Sequence, residues 1–169
     1  MAERLLPRNL PEMFAFALAM EREATKRFAE LERYMREAGL DHIADEFESI
    51  GKEEREQYEL LALGTSGRAL PEIQEWEYAW HYLGPQSWKP RRPRSAREAL
   101  MLALASERRT EIFYADVAEH VMDDSVSAFA AEMAADERRH VTRLELLLRR
   151  EPEQSLPEEE ETVSGVHKP

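Results

Sequence analysis

Cysteine is absent from all 169 residues. That excludes disulfides, thiolate zinc sites, iron–sulfur clusters, thiolate haem and any rubredoxin-type iron site within this chain. Glycine occurs only six times, and Val, Ile and Thr are sparse, which leaves little from which to build sheet. No apolar run approaches the roughly 20 residues that span a bilayer. The opening segment, MAERLLPRNLPEMFAFALAMERE, has too short an apolar core and too many acids for a signal peptide. A soluble, cytoplasmic protein is therefore expected, and a reducing compartment suits the lack of cysteine. Positive charge is also scarce. With 23 Lys and Arg against 35 Asp and Glu, the net charge is −12, which argues against a general binder of nucleic acid or anionic membrane.

What the chain does have is Ala, Glu, Leu and Arg, all good helix formers. Four segments carry helical periodicity. The first runs from about Pro11 to Ala38, with proline suited to a first turn and Gly39 to a stop. The second begins after Asp41, read as its N-cap, and stops at Gly64. The third begins at Ser95, which forms a capping-box pattern with Glu98. The fourth begins near Asp123 or Asp124 and ends before Pro152. Short links within the first and last pairs predict antiparallel neighbours. A segment of about 30 residues separates helices 2 and 3, a length uncommon unless it has a task. A crossover along a bundle is such a task, since a helix of about 25 residues is roughly 37 Å long. The fold expected is all-α, a four-helix bundle over 11–150 with a long crossover. An acidic, disordered tail is expected over 151–169, carrying −5 of the net charge.

The two halves resemble each other. FALAMEREATKRF aligns with LALASERRTEIFY at an offset of 86, and EEREQ with DERRH at an offset of 83. Such a repeat predicts a pseudo-twofold axis, and a site on it receives equivalent residues from both halves. The predicted buried stripes are Phe14, Leu18, Glu21, Thr25 and Phe28; Ile43, Phe47, Ile50, Glu54, Gln57 and Leu61; Leu100, Leu104, Glu107, Glu111 and Tyr114; and Val126, Ala130, Met133, Glu137, His140, Leu144 and Leu147. Each is apolar at its ends and polar in the middle. Buried carboxylates are costly unless paired or metal-bound. Two divalent cations balance Glu21, Glu54, Glu107 and Glu137, and carboxylate with imidazole suits iron or manganese. A Glu from each of two helices and Glu-x-x-His from the others is the ligand pattern of di-iron carboxylate bundles.

The segments AMEREATKRF, EEREQ, ASERRTEIFY and DERRH, with the long crossover, resemble the ferritin-like superfamily and specifically its rubrerythrin-type di-iron domain. The resemblance covers about residues 11 to 150. It implies Glu21 and Glu107 as terminal ligands, Glu54 and Glu137 as bridges, and His140 on the second metal. It implies two irons per subunit, with manganese as an alternative, and oxidation of Fe(II) coupled to reduction of hydrogen peroxide or oxygen. Three positions depart from the family pattern. Gln57 replaces the first-half histidine. Phe28 replaces a frequent tyrosine, whereas Tyr114 is kept and reads as either core or a neighbour of the ligands. Thr110 replaces a further glutamate, and Glu111 beside it is a candidate compensating ligand. Gln57 has three readings: a weak amide ligand, a hydrogen-bond donor to a carboxylate or water, or a relic. The second-half metal position is accordingly expected to be the stronger.

With no rubredoxin domain, the electrons of a redox enzyme are expected to come from another protein. A homodimer or higher homo-oligomer is expected. Two other functions compete: iron binding and storage of the ferritin type, and a non-catalytic metal-binding adaptor with a depleted first position. Trp76, Trp80, Trp88 and His81 in the crossover read as packing or interface residues. Lys89, Arg91, Arg92, Arg94 and Arg97 form a basic cluster that could hold the acidic tail or a partner.

Overall fold

The computed structural model describes residues 6–73 and 92–153. The described residues form four long helices: α1 Leu10–Glu37, α2 Asp41–Gly64, α3 Ala96–His120 and α4 Asp124–Arg150. Local chemistry explains most of their ends. The Asn9 side chain accepts from the Glu12 amide and opens α1, with proline in its first turn. Ser95 caps α3 by accepting from the Glu98 amide, and Asp123 caps α4 through the Ser125 and Val126 amides. Between α1 and α2, Gly39 adopts φ 73°. The Leu40 amide returns to the Met35 carbonyl and the Gly39 amide to Arg36, a Schellman closure that requires a left-handed residue. Asp41 is not the N-cap of α2. Leu40 takes that position with no side-chain cap, because the tight closure of α1 leaves no extended residue for a side-chain cap, and Asp41 falls in the first turn.

α1 packs on α2 and α3 on α4, and the two pairs meet through two apolar clusters. One joins Phe28, Leu31 and Met35 of α1 to Ile43, Phe47 and Ile50 of α2, Ala96 to Leu104 on α3, and Val141 and Leu144 of α4. The other joins Met13 to Met20 of α1 to Phe113, Tyr114 and Val117 of α3 and Val126 to Ala134 of α4. The starts of α2 and α3 share the first cluster, so the end of α2 and the start of α3 lie at opposite ends of the bundle. Residues 74–91 between them, including Trp76, Trp80, His81, Trp88, Lys89 and Arg91, lie outside the described residues, as does the tail from 154.

The seam of α1 lies slightly round from the predicted stripe. Phe14, Leu18 and Thr25 are half-buried, while Met13, Ala17, Met20, Ala24 and Arg27 are deeper. α1 touches α2, α3 and α4, so its buried arc is wider than a two-helix seam. Gly51 brings α2 close to α1, since a Cβ there would stand 3.0 Å from Phe28 Cβ. This approach lies one turn from Glu54.

Among the basic residues described, Arg92 pairs with Glu37 and stacks over Tyr34. Arg97 donates to the carbonyls of Leu148 and Glu151, fastening the end of α4.

Candidate metal centre

Between the two apolar clusters lies a layer of charge. Glu21, Glu54, Glu107, Glu137 and His140 are all buried, the four carboxylates at 1 % exposure or less. Each helix contributes one carboxylate, because in each the acid stands on the apolar register about midway along. Ligand atoms of Glu54, Glu107, Glu137 and His140 all lie within 4.8 Å of one another. Opposite ligands of a single transition-metal ion stand roughly 4 Å apart, so little closure would bring these onto one ion.

The atoms meet as close ion pairs rather than as well-directed hydrogen bonds. His140 Nδ1 lies 2.6 Å from Glu54 Oε1 and 3.3 Å from Glu107 Oε2, yet makes no hydrogen bond of acceptable direction. Glu21 Oε2, both Glu54 oxygens, Glu107 Oε2 and Glu137 Oε1 also lack hydrogen-bond partners. Buried polar atoms are normally satisfied. Six buried ligand-type atoms that face one region without a well-directed hydrogen bond suit a cation site, and carboxylate with imidazole fits iron or manganese.

The electrostatics agree. Burial, reinforced by repulsion from Glu54, pushes the Glu21 and Glu137 carboxyls well above the usual range. Burial and Glu54 also raise Glu107. Burial opposes ionisation of Glu54 too, but His140 and Arg27 outweigh it and hold that carboxyl low. Burial disfavours the imidazolium of His140, yet Glu107 and Glu54 push its pKa up from 6.5 to about 10. Protons thus balance part of the charge that metal would neutralise.

The halves differ around this layer. Tyr114 Oη donates to Glu21 Oε1 at 2.9 Å. Its counterpart in the repeat, Phe28, has no hydroxyl to offer Glu107. Instead Arg27, only 7 % exposed, brings Nη1 to 3.9 Å from Glu107 Oε1. Glu21 is outside the group of four converging residues. Gln57 Nε2 donates to Asp136 Oδ2 at 3.0 Å and to Met133 Sδ at 3.1 Å. Glu111 does not join the centre. It accepts from Arg138 at 2.8 Å, with Arg138 64 % exposed, because one residue beyond the ligand spacing rotates its side chain about 100° toward solvent.

The family model described as Rubrerythrin matches residues 12–148. The chain belongs to the rubrerythrin family. This rubrerythrin-family chain is also similar to a solved structure, an uncharacterised conserved protein from Magnetospirillum magnetotacticum. The TM-score is 0.75 at 25 % identity, over 88 % of this chain and 99 % of that one. No curated protein matches the chain. The fold is the ferritin-like four-helix bundle, and no helix among the described residues is long and apolar enough to cross a membrane.

Sequence reasoning missed three residues of this rubrerythrin-type centre: Arg27, Glu53 and Asp136. For Arg27 a signal existed, since it continues the apolar register of Met20, Ala24 and Leu31. Glu53 and Asp136 are aligned first residues of EEREQ and DERRH, but charged residues in such segments ordinarily face water.

Proposed function

We propose that this protein is a rubrerythrin-type oxidoreductase that oxidises Fe(II) while reducing hydrogen peroxide or oxygen. The observation that carries the reading is the set of buried carboxylate and imidazole atoms that converge without well-directed hydrogen bonds. Glu107, His140, Glu54 and Glu137 would hold the stronger metal position; Glu21, with shares of Glu54 and Glu137, would hold the weaker. Two irons cycling between ferrous and ferric states would supply the two electrons that convert one peroxide, with two protons, to two waters. The chain's own part is ligation, exclusion of bulk water by the flanking apolar clusters, and charge tuning by Arg27 and Tyr114.

With no cysteine in this chain, electrons to re-reduce the centre would come from another protein. A homo-oligomer belongs to the same proposal. One observation favours a second reading, a non-catalytic metal-binding adaptor: position 57 holds an amide, tied through Nε2 to Asp136, in place of an imidazole, and the first position keeps few strong donors. Anaerobic Fe(II) titration followed by peroxide distinguishes these. Rapid, repeatable oxidation with two irons supports the enzyme. Hundreds of irons per oligomer would indicate storage, and one metal with no redox change the adaptor.

A further inference from the structure

The acid immediately before each central glutamate reaches across the bundle to the opposite half. Glu53, before Glu54 on α2, brings Oε2 to 3.0 Å from His140 Nε2 on α4. Asp136, before Glu137 on α4, brings Oδ2 to 3.0 Å from Gln57 Nε2 on α2. Glu53 and Asp136 are equivalent in the repeat, as are Gln57 and His140. The two contacts are therefore one interaction made twice, once to an imidazole and once to an amide. Glu53 is itself fixed: its other oxygen lies 3.3 Å from Arg143 Nη1, and Arg143 binds Glu46 through Nε at 2.8 Å.

We infer that Glu53 is the positioning residue for His140, and that Asp136 is a matching, ready-made holder for a ligand at position 57. The inference rests on the metal centre proposed above. His140 presents Nδ1 to the carboxylates and Nε2 to Glu53. A metal on Nδ1 needs that atom's lone pair, so the ring proton must sit on Nε2. A carboxylate at Nε2 selects that tautomer, fixes the ring plane and strengthens the donor. Loss of such partners ordinarily weakens metal binding about 10- to 100-fold. Asp136 offers position 57 the same geometry but meets an amide, so that half has the holder without the imidazole.

The test uses the full chain and Co(II) under anaerobic conditions, with Glu53→Ala, Glu53→Gln and, as a control of equal charge change, Glu56→Ala. Glu56 is exposed and pairs only loosely with Lys52, at 3.8 Å. Co(II) affinity should fall about 10- to 100-fold in Glu53→Ala. It should fall less in Glu53→Gln, whose amide oxygen still accepts, and stay unchanged in Glu56→Ala. Gln57→His should add a second Co(II) equivalent, and Asp136→Ala on that background should remove it. A metal-independent readout is the sheltered Nε2–H resonance of His140, expected in the unsubstituted protein and lost to solvent exchange in Glu53→Ala. Equal Co(II) affinity in the unsubstituted and Glu53→Ala proteins, an equal loss in Glu56→Ala, or a ring proton indifferent to Glu53 overturns the inference. Failure of the unsubstituted protein to bind Co(II) overturns the metal centre instead, and the ring-proton measurement then still decides the role of Glu53.

Discussion

Tyr114 on α3 gives its hydroxyl to Glu21 on α1, 2.9 Å away and sealed from solvent. Glu54 is the other neighbour that holds this carboxyl, whose second oxygen has no well-directed hydrogen bond. In Tyr114→Phe, Glu21 loses the hydroxyl that satisfies Oε1. The metal-free protein should lose about 1–3 kcal/mol, read by urea unfolding. Saturating Co(II) should recover much of that loss if Glu21 then meets a cation. A loss unaffected by metal would separate Glu21 from the centre.

Stability and metal binding should respond to pH in opposite senses. Glu21, Glu107 and Glu137 retain protons in the folded metal-free state after the unfolded chain has released them. The folded state binds more protons, so stability falls as pH rises above the ordinary carboxylate value of 4.5. His140 acts in the same direction: its contribution is complete below 6.5 and is lost as pH climbs through about 10. Glu54, held low, acts the other way, and its contribution is lost as pH falls below 4.5. Metal needs deprotonated ligands, so binding expels these protons and tightens with pH. The metal-free melting temperature should be higher at about pH 5.5 than at about pH 8, and the increment due to Co(II) larger at about pH 8. Calorimetry in buffers of different ionisation enthalpy should register proton release. Binding without release would show the carboxylates already ionised.

The two metal positions should fill unequally. His140 faces the converging carboxylates, whereas Gln57 is bound to Asp136, and a neutral amide is a poorer donor than imidazole. His140→Ala should cost at least about 10-fold in affinity at the stronger position. Anomalous scattering from an iron-soaked crystal should peak beside His140. A single strong peak beside Gln57, or equal occupancy at both, contradicts this assignment.

Arg27 supplies a permanent positive charge next to Glu107. Arg27→Met should destabilise the metal-free protein by roughly 3 kcal/mol, since Glu54, held ionised in part by Arg27, loses a nearby cation. The same change should tighten Co(II) binding several-fold, because less positive charge opposes the ion. If stability and affinity fall together, Arg27 acts through packing alone.

Helix periodicity made the four helices legible, and the deep acids of the centre were legible because Glu21, Glu54, Glu107 and Glu137 each interrupt an apolar register. An ionisable group on such a register is informative, since burying it has a cost that something must offset. The internal repeat made the pairing of halves legible too. What the sequence left open was direction. Glu111 shares a stripe with Glu107, but a rotation of about 100° per residue turns it to Arg138. Gln57 had three readings, and the carboxylate that its amide N–H meets is Asp136, which lies 79 residues away. Nothing in the sequence singled out Glu53 or Asp136, and the only signal for Arg27 was the apolar register it continues. Their roles arise where α2 meets α4 and α1 meets α3, and a one-dimensional pattern does not specify which atoms face each other across those gaps. Periodicity along each helix thus determined what is buried. Packing between helices decided which buried or half-buried groups meet, and through which atom.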